Sequence, residues 1–225
     1  MIKDAKENEE SWNGFCVLHT AASRVGGLDI GFVPSEKGLN VSQIVNSANS
    51  GDVKLVFLLG ADEIDMSRLG KAMVIYQGHH GDAGAHRADV ILPGAAYTEK
   101  EGLYVNTEGR VQAAVKASFP PGDAREDWKI IRALSEELGK PLSFDTSTIL
   151  RGELVSRHGN FGMIDNIVSA KWEPFGECGE ISNAPFQQTI SNFYMTDPIS
   201  RCSIVMAECT EQFVHSDKEQ SGTER

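Results

Sequence analysis

The chain has 225 residues, 40% of them hydrophobic and 24% charged, enough to bury a sizeable core as one domain or one domain with an extension. Thirty-two acidic against 21 basic residues leave a formal net charge of -11, which argues against nucleic acid or anionic lipid as a direct partner. No apolar run approaches the roughly 20 residues a membrane helix needs, and the opening MIKDAKENEESWNGF is too acidic and too short of apolar length for a signal peptide, so no direct membrane insertion is expected.

After a polar lead over 1–11, FCVLH at 15–19 reads as a strand and TAASRV at 20–25 as a helix closed by Gly26 and Gly27. A second helix over about 42–49 ends at Ser50, Gly51 and Asp52, a turn before the strongest strand pattern, VKLVFLL at 53–59. Two continuous apolar runs follow, MVIY at 73–76 and ADVIL at 88–92, each of the kind found in parallel strands buried on both faces. The segment between them has room for one helical turn. Strand, helix, strand alternation of this kind specifies an α/β chain with a Rossmann-like parallel sheet and flanking helices. Beyond Pro93, Gly102, Asn106 and Gly109 permit tight turns around short strands. The best helix signal lies at 123–138, with Asp123 as cap, Trp128, Ile131, Leu134 and Leu138 on one face, and Gly139 and Pro141 as the stop. A weaker helix covers 146–158, capped by Asp145 or Thr146. From Gly159 the pattern loosens into turn-rich sequence, and the tail after Phe213 is expected to fray.

Polar residues gather where such a sheet places its ligand and partner contacts, outside the carboxyl ends of the strands. Gly60, Ala61, Asp62 and Glu63 follow a strand as a nucleotide-binding loop would, but the remaining glycines of a dinucleotide fingerprint are missing and the local charge is negative; they read as a vestigial nucleotide-type turn. His79, His80 and His86, with Asp82, form the richest imidazole cluster. Their spacing matches no standard zinc pattern, adjacent histidines tend to point apart, and a hydrogen-bonded loop, or a pH-dependent partner contact, is the simpler account. Glu99, Glu101, Asn106, Glu108 and Arg110 show no asymmetry of the kind a paired-carboxylate catalyst needs; Arg110 neutralising a neighbouring Glu is simpler. These histidines, acids, Asn106 and Arg110 are candidates for structuring loops or meeting a partner, and no catalytic or metal-binding residue is assigned. Cys16, Cys178, Cys202 and Cys209 are scattered, without the clustered spacing of an iron-sulfur site, and read as reduced, partly buried side chains.

The string YQGHHGDAGAHRADVILPGAAYTEKEGLYVNTEGRVQ at 76–112 resembles the molybdopterin oxidoreductase superfamily, and within it the large iron-sulfur subunit (the 75 kDa or G subunit) of respiratory NADH:quinone oxidoreductase, complex I. WNGFCVLHTAASRVGGLDIGF at 12–32 and NFYMTDPISRCSIVMAEC at 192–209 are similar to the same branch, so the likeness runs through nearly the whole chain.

The resemblance implies a division into a polar lead (1–11), a molybdopterin oxidoreductase-like α/β domain (12–140), a C-terminal extension of the complex I subunit (141–212) and a disordered tail (213–225). It implies a structural component that supports electron transfer from NADH to quinone and holds no cofactor itself. The family's iron-sulfur clusters sit on N-terminal cysteine modules that this chain lacks, so Met1 is expected to start partway through the ancestral subunit. The implied partners are other subunits of the complex I peripheral arm and a separate N-terminal half of the same subunit. The implied place is the cytoplasmic side of the bacterial inner membrane or the mitochondrial matrix side. A second reading is a piece of a molybdopterin-dependent oxidoreductase that completes a pterin or nucleotide pocket.

Overall fold

Asn40 starts helix α2 (Val41–Ser50) with a reciprocal cap: its side chain accepts from Gln43 N at 3.0 Å, and the Gln43 side chain accepts from Asn40 N at 2.9 Å. This is a computed structural model whose described residues are 16–168, 179–180, 182–185 and 187–215. The chain divides into two units, one of Pro34–Lys100, Lys116–Ser143 and Lys171–Arg225, the other of Met1–Val33, Glu101–Val115 and Phe144–Ala170.

In the first unit, Gly51 ends α2 in the left-handed conformation at φ +85°, and the chain enters β1 (Leu55–Leu59). Strand β2 (Met73–Gly78) lies parallel to β1 and to β3 (Val90–Pro93), giving a three-stranded sheet in the order β1-β2-β3. The register sets Val56 beside Val74 and Leu58 beside Tyr76. With Val45 and Ala48 of α2, and with Leu69 and Ala72 of the β1–β2 connection, these side chains form the buried core. Helix α3 (Ala83–Arg87) is the single turn between β2 and β3.

The apolar runs at 73–76 and 88–92 become β2 and β3, but only β2 is flanked on both sides. β3 is an edge strand, and its Val90 and Ile91 are exposed, so the expected burial on both faces fails there. Helix α4 (Asp127–Glu137) starts four residues after Asp123, and Glu126 at its cap position makes no side-chain cap. The preceding backbone is committed elsewhere: Arg125 N donates to Pro93 O at 3.0 Å and Ala95 N to Arg125 O at 2.8 Å, which holds Arg125 against the end of β3. In the C-terminal part, where turn-rich sequence was expected, Asp197 caps the short α6 (Pro198–Arg201) and Ser203 caps α7 (Ile204–Thr210), which continues as a π-turn over Glu211–His215. The tail after His215 lies outside the described residues.

The second unit begins without the expected strand. Its described start, 16–19, is irregular, and helix α1 is Arg24–Asp29, later than expected. Gly26 and Gly27 lie inside this helix instead of closing it; a Cβ on Gly26 would stand 3.4 Å from Val105 Cγ2, so the glycine allows a close approach to the neighbouring strand. Strands β4 (Gly102–Val105) and β5 (Val111–Ala114) form an antiparallel hairpin. Helix α5 (Ser147–Arg157) starts at Thr146, whose hydroxyl accepts from Ile149 N at 3.2 Å. Val105, Val111 and Phe161 are the buried centre, packed by Val25, Leu103, Leu154, Val155 and Ile164.

Gly70 fixes the turn before β2. It sits at φ +55°, and a Cβ there would meet Ala48 O at 2.9 Å. Gly70→Ala combines backbone strain with a backbone clash and is expected to cost about 2 kcal/mol or more, read as a lowered urea midpoint at unchanged m-value.

Candidate functional site

The carboxyl ends of β1 and β2 open into the loops that carry Asp62 and Asp82, and the side chains there close on one another. Asp62, 6% exposed, accepts from Tyr76 Oη at 2.9 Å and from Gly84 N at 2.5 Å. Burial, reinforced by the hydrogen bond to Asp62, pushes the Tyr76 hydroxyl far above the ordinary phenol range, so it remains a donor. A Cβ on Gly84 would overlap Asp62 Oδ1 and fall 2.8 Å from the Tyr76 ring; only glycine lets α3 approach β2 this closely. The carboxylate therefore ties together the end of β1, the body of β2 and the first turn of α3.

Asp82 forms an ion pair with Arg201 Nε of α6, and Arg201 Nη2 lies 3.5 Å from Glu63 Oε1. Both Asp82 and Arg201 are largely covered, whereas Glu63 is exposed. Burial alone would raise the Asp82 pKa, but the hydrogen bonds from Arg201 and Ala83 N outweigh it and hold the carboxyl below its ordinary range. Asp197 fixes α6 from beneath by accepting from Ile199 N at 2.9 Å and Ser200 N at 3.1 Å. The chain's own C-terminal segment thus stands over the strand ends, with one guanidinium between two acids.

His79 and His80 do not point apart as expected. Their Nδ1 atoms are 2.6 Å from each other and the rings meet edge to face at 4.9 Å, so one Nδ1 carries the proton that the other accepts. Burial, followed by the electrostatic influence of His80 and of Lys100, lowers the His79 pKa. His86 is engaged separately, its Nδ1 at 2.9 Å from Asp82 O, so the three imidazoles do not converge. Among the described residues no group of three or more His, Cys, Asp or Glu is placed to hold a metal ion. Cys16 and Cys202 are exposed thiols and Cys209 is half-buried, which corrects the expectation of covered cysteines for the first two; Cys178 lies outside the described residues.

The remaining candidates divide between the two units. Glu99 belongs with the sheet, where its carboxylate accepts from Ala96 N at 2.9 Å and closes a 3-10 turn. Asn106, Glu108 and Arg110 make the β4–β5 turn in the other unit. Asn106 Oδ1 accepts from Glu108 N and Arg110 N, both at 3.0 Å, while Arg110 reaches Glu108 Oε2 at 3.6 Å and Asp165 O at 2.6 Å. Glu101 lines an open groove of about 510 Å³ with Ser147, Thr148 and Arg151 in that same unit.

Sequence reasoning missed Tyr76, Arg201, and a group at the other side of the β2 end. Gln77 is fully buried and donates to Asp127 Oδ1 at 3.0 Å, while Lys100 pairs with Asp127 Oδ2. A glutamine closing an apolar strand was the one local signal. Nothing near Arg201 in sequence announces a partner 119 residues away.

Residues 1–137 match the family described as molybdopterin oxidoreductase, and residues 166–209 match the family of the C-terminal region of the NADH-ubiquinone oxidoreductase G subunit. The chain is similar to the mitochondrial NADH-ubiquinone oxidoreductase 78 kDa subunit of Candida albicans (47% identity over 92% of this chain and 29% of the relative). It is also similar to the NADH-ubiquinone oxidoreductase 75 kDa subunit of Reclinomonas americana (42%, over 93% and 30%) and to the NADH-quinone oxidoreductase G subunit of Rickettsia conorii (43%, over 93% and 30%). The chain spans about 30% of the length of these curated relatives. Among solved structures, acetylene hydratase from Pelobacter acetylenicus is similar with a TM-score of 0.37 and 20% identity, over 44% of this chain and 15% of that one.

Removing the guanidinium in Arg201→Ala should loosen α6 from the strand ends: amide exchange over 197–203 is expected to accelerate roughly tenfold or more, with β1 and β2 unchanged. Acid should do the same to the unsubstituted chain. Because the Asp82 pKa is depressed on folding, its stabilisation is fully present above the ordinary carboxylate range and is lost as pH falls through the lowered value. Protection of α6 that fades near neutral pH would contradict this. Tyr76→Phe leaves the buried Asp62 one donor short and should cost about 1–3 kcal/mol in chemical denaturation.

Proposed function

The chain belongs to the molybdopterin oxidoreductase family, and we propose that it works as a structural segment of the large iron-sulfur subunit of NADH:quinone oxidoreductase, complex I, supporting electron transfer from NADH to quinone without a redox centre of its own. The observation that carries this reading is the closed strand-end crevice. In the molybdenum-containing branch, loops of this region help hold a pterin dinucleotide. Here the residues around Asp62 and Asp82 do not fit such a group. The Asp62 carboxylate is already satisfied by Tyr76 Oη and Gly84 N, and Arg201 is spent between Asp82 and Glu63. An incoming phosphate would meet three carboxylates whose local cation is already engaged.

The tandem of two family matches supports the same reading, because the second match, to the C-terminal region of the large subunit, falls on the segment that supplies Arg201. The partners in this proposal are other subunits of the complex I peripheral arm and the amino-terminal portion of the same subunit. In the assembled state the enzyme is a proton-translocating NADH dehydrogenase, and the chain lies on the cytoplasmic side of the bacterial inner membrane or on the matrix side in mitochondria. Attachment through partner subunits agrees with the finding that no helix among the described residues is long and apolar enough to cross a membrane.

A tag placed after Arg225 should co-migrate on native gels with a large species that oxidises NADH, and the purified chain should contain no stoichiometric molybdenum or pterin by elemental and fluorescence analysis. Migration as a small free species in cells that hold active complex I, or one equivalent of bound pterin, would overturn the proposal.

A further inference from the structure

Alternation along the three strands divides the sheet into two faces of different fate. On one face Val56, Leu58, Val74 and Tyr76 are buried under α2. Both strand connections pack there as well, through Ile64, Met66, Leu69 and Ala72 between β1 and β2, and through Ala85 and Ala88 between β2 and β3. The register places Leu55 beside Met73, and Phe57 beside Ile75 and Val90, on the opposite face. That face carries no charge among these positions, and Leu55 (50%), Leu59 (46%), Met73 (43%) and Val90 (37%) remain exposed. Its carboxyl end is covered where Gln77 meets Asp127.

A purely parallel sheet is stable when layers cover both faces. Right-handed connections that step in one direction across a sheet stay on one face, so the opposite face is covered by chain that does not join these strands. The segment carrying Arg201 is engaged at the strand ends. This chain accounts for 29–30% of the length of its relatives, and the match to the C-terminal region of the large subunit falls at 166–209, so the unmatched length of those relatives lies largely on the amino side. A second copy of this chain is a poor occupant, because each copy brings a net charge of -11.

We propose, resting on the complex I reading above, that the face formed by Leu55, Phe57, Leu59, Met73, Ile75 and Val90 is the docking surface for the amino-terminal portion of the large subunit, which lays apolar helix faces across it. Met73 reports directly on this surface, because thioether oxidation requires access.

The test is co-expression of this chain with the amino-terminal portion of the Rickettsia conorii relative, followed by dilute hydrogen peroxide and mass spectrometry. In the purified pair Met73 should oxidise roughly tenfold more slowly, or slower still, than in the chain alone. Phe57→Lys should weaken the pair by roughly tenfold or more, since it buries a charge, while the chain alone keeps its circular dichroism because that side chain is only partly buried in it. Should Phe57→Lys unfold the chain, Met73 in the unsubstituted pair still decides. A pair that forms with Met73 oxidised at the free rate overturns the docking surface and leaves the complex I reading standing. Failure of the two chains to associate overturns both. Protection of Met73 that grows with the concentration of this chain alone marks a homodimer and overturns the proposal.

Discussion

The buried Asp62 carboxylate is the constraint around which the sheet unit is organised. A carboxylate removed from water is tolerated only when donors replace its hydration, and here those donors come from two different elements: the Tyr76 hydroxyl on β2 and Gly84 N at the start of α3. Satisfying it therefore sets the distance between the end of β1 and β2, and it draws α3 against the Tyr76 ring so closely that no side chain fits at position 84. Because α3 is the connection to β3, the same carboxylate indirectly places the third strand. Loss of one donor would leave a buried carboxyl oxygen without its partner, so the network acts as a unit.

Around this fixed centre the outer acids are organised by a single cation. Arg201 reaches Asp82 and Glu63 from a helix of four residues, too short to be stable alone. It is held by Asp197, which accepts from two backbone amides at its start, and by the ion pair at its end. Each arrangement depends on the other: the caps orient the guanidinium, and the guanidinium anchors the helix to the sheet. A segment assembled this way adds order to the strand ends.

What the sequence makes legible follows from how local the cause is. Helix α2 and strands β1 and β2 are readable because capping residues, Gly51 and continuous apolar runs act over a few neighbouring positions. Helix α1 is misplaced by the same logic, since Gly26 looks like a stop but serves a close contact with Val105 on a distant strand. Strand β3 has the composition of a central strand and the position of an edge, and composition alone does not report which neighbour is present. The short α6 and α7 carry too few residues for a periodic signal, although Asp197 before Pro198 and Ser203 before Ile204 are readable caps in hindsight. The loops at Asp62 and Asp82 were visible as polar clusters. Their partners, Tyr76 and Arg201, were not, because those pairings are made by tertiary structure.

A binding loop and a closed loop can share one backbone and differ in where their polar groups are spent. A site that awaits a ligand keeps donors or acceptors unmatched, and the free energy of completing them is what the ligand supplies. Around Asp62 and Asp82 that free energy is already realised within the chain, by a phenol, a backbone amide and a guanidinium, whereas Gln77 Oε1 at the end of β2 is buried without a partner. Opening the crevice for a ligand would mean breaking at least the Arg201 contacts and exposing carboxylates of like charge, a cost that an anionic group could not recover there. The physical advantage of the closed form is rigidity: a sheet whose strand ends are fastened from within keeps its shape while its remaining apolar face is free to be covered by another layer of protein.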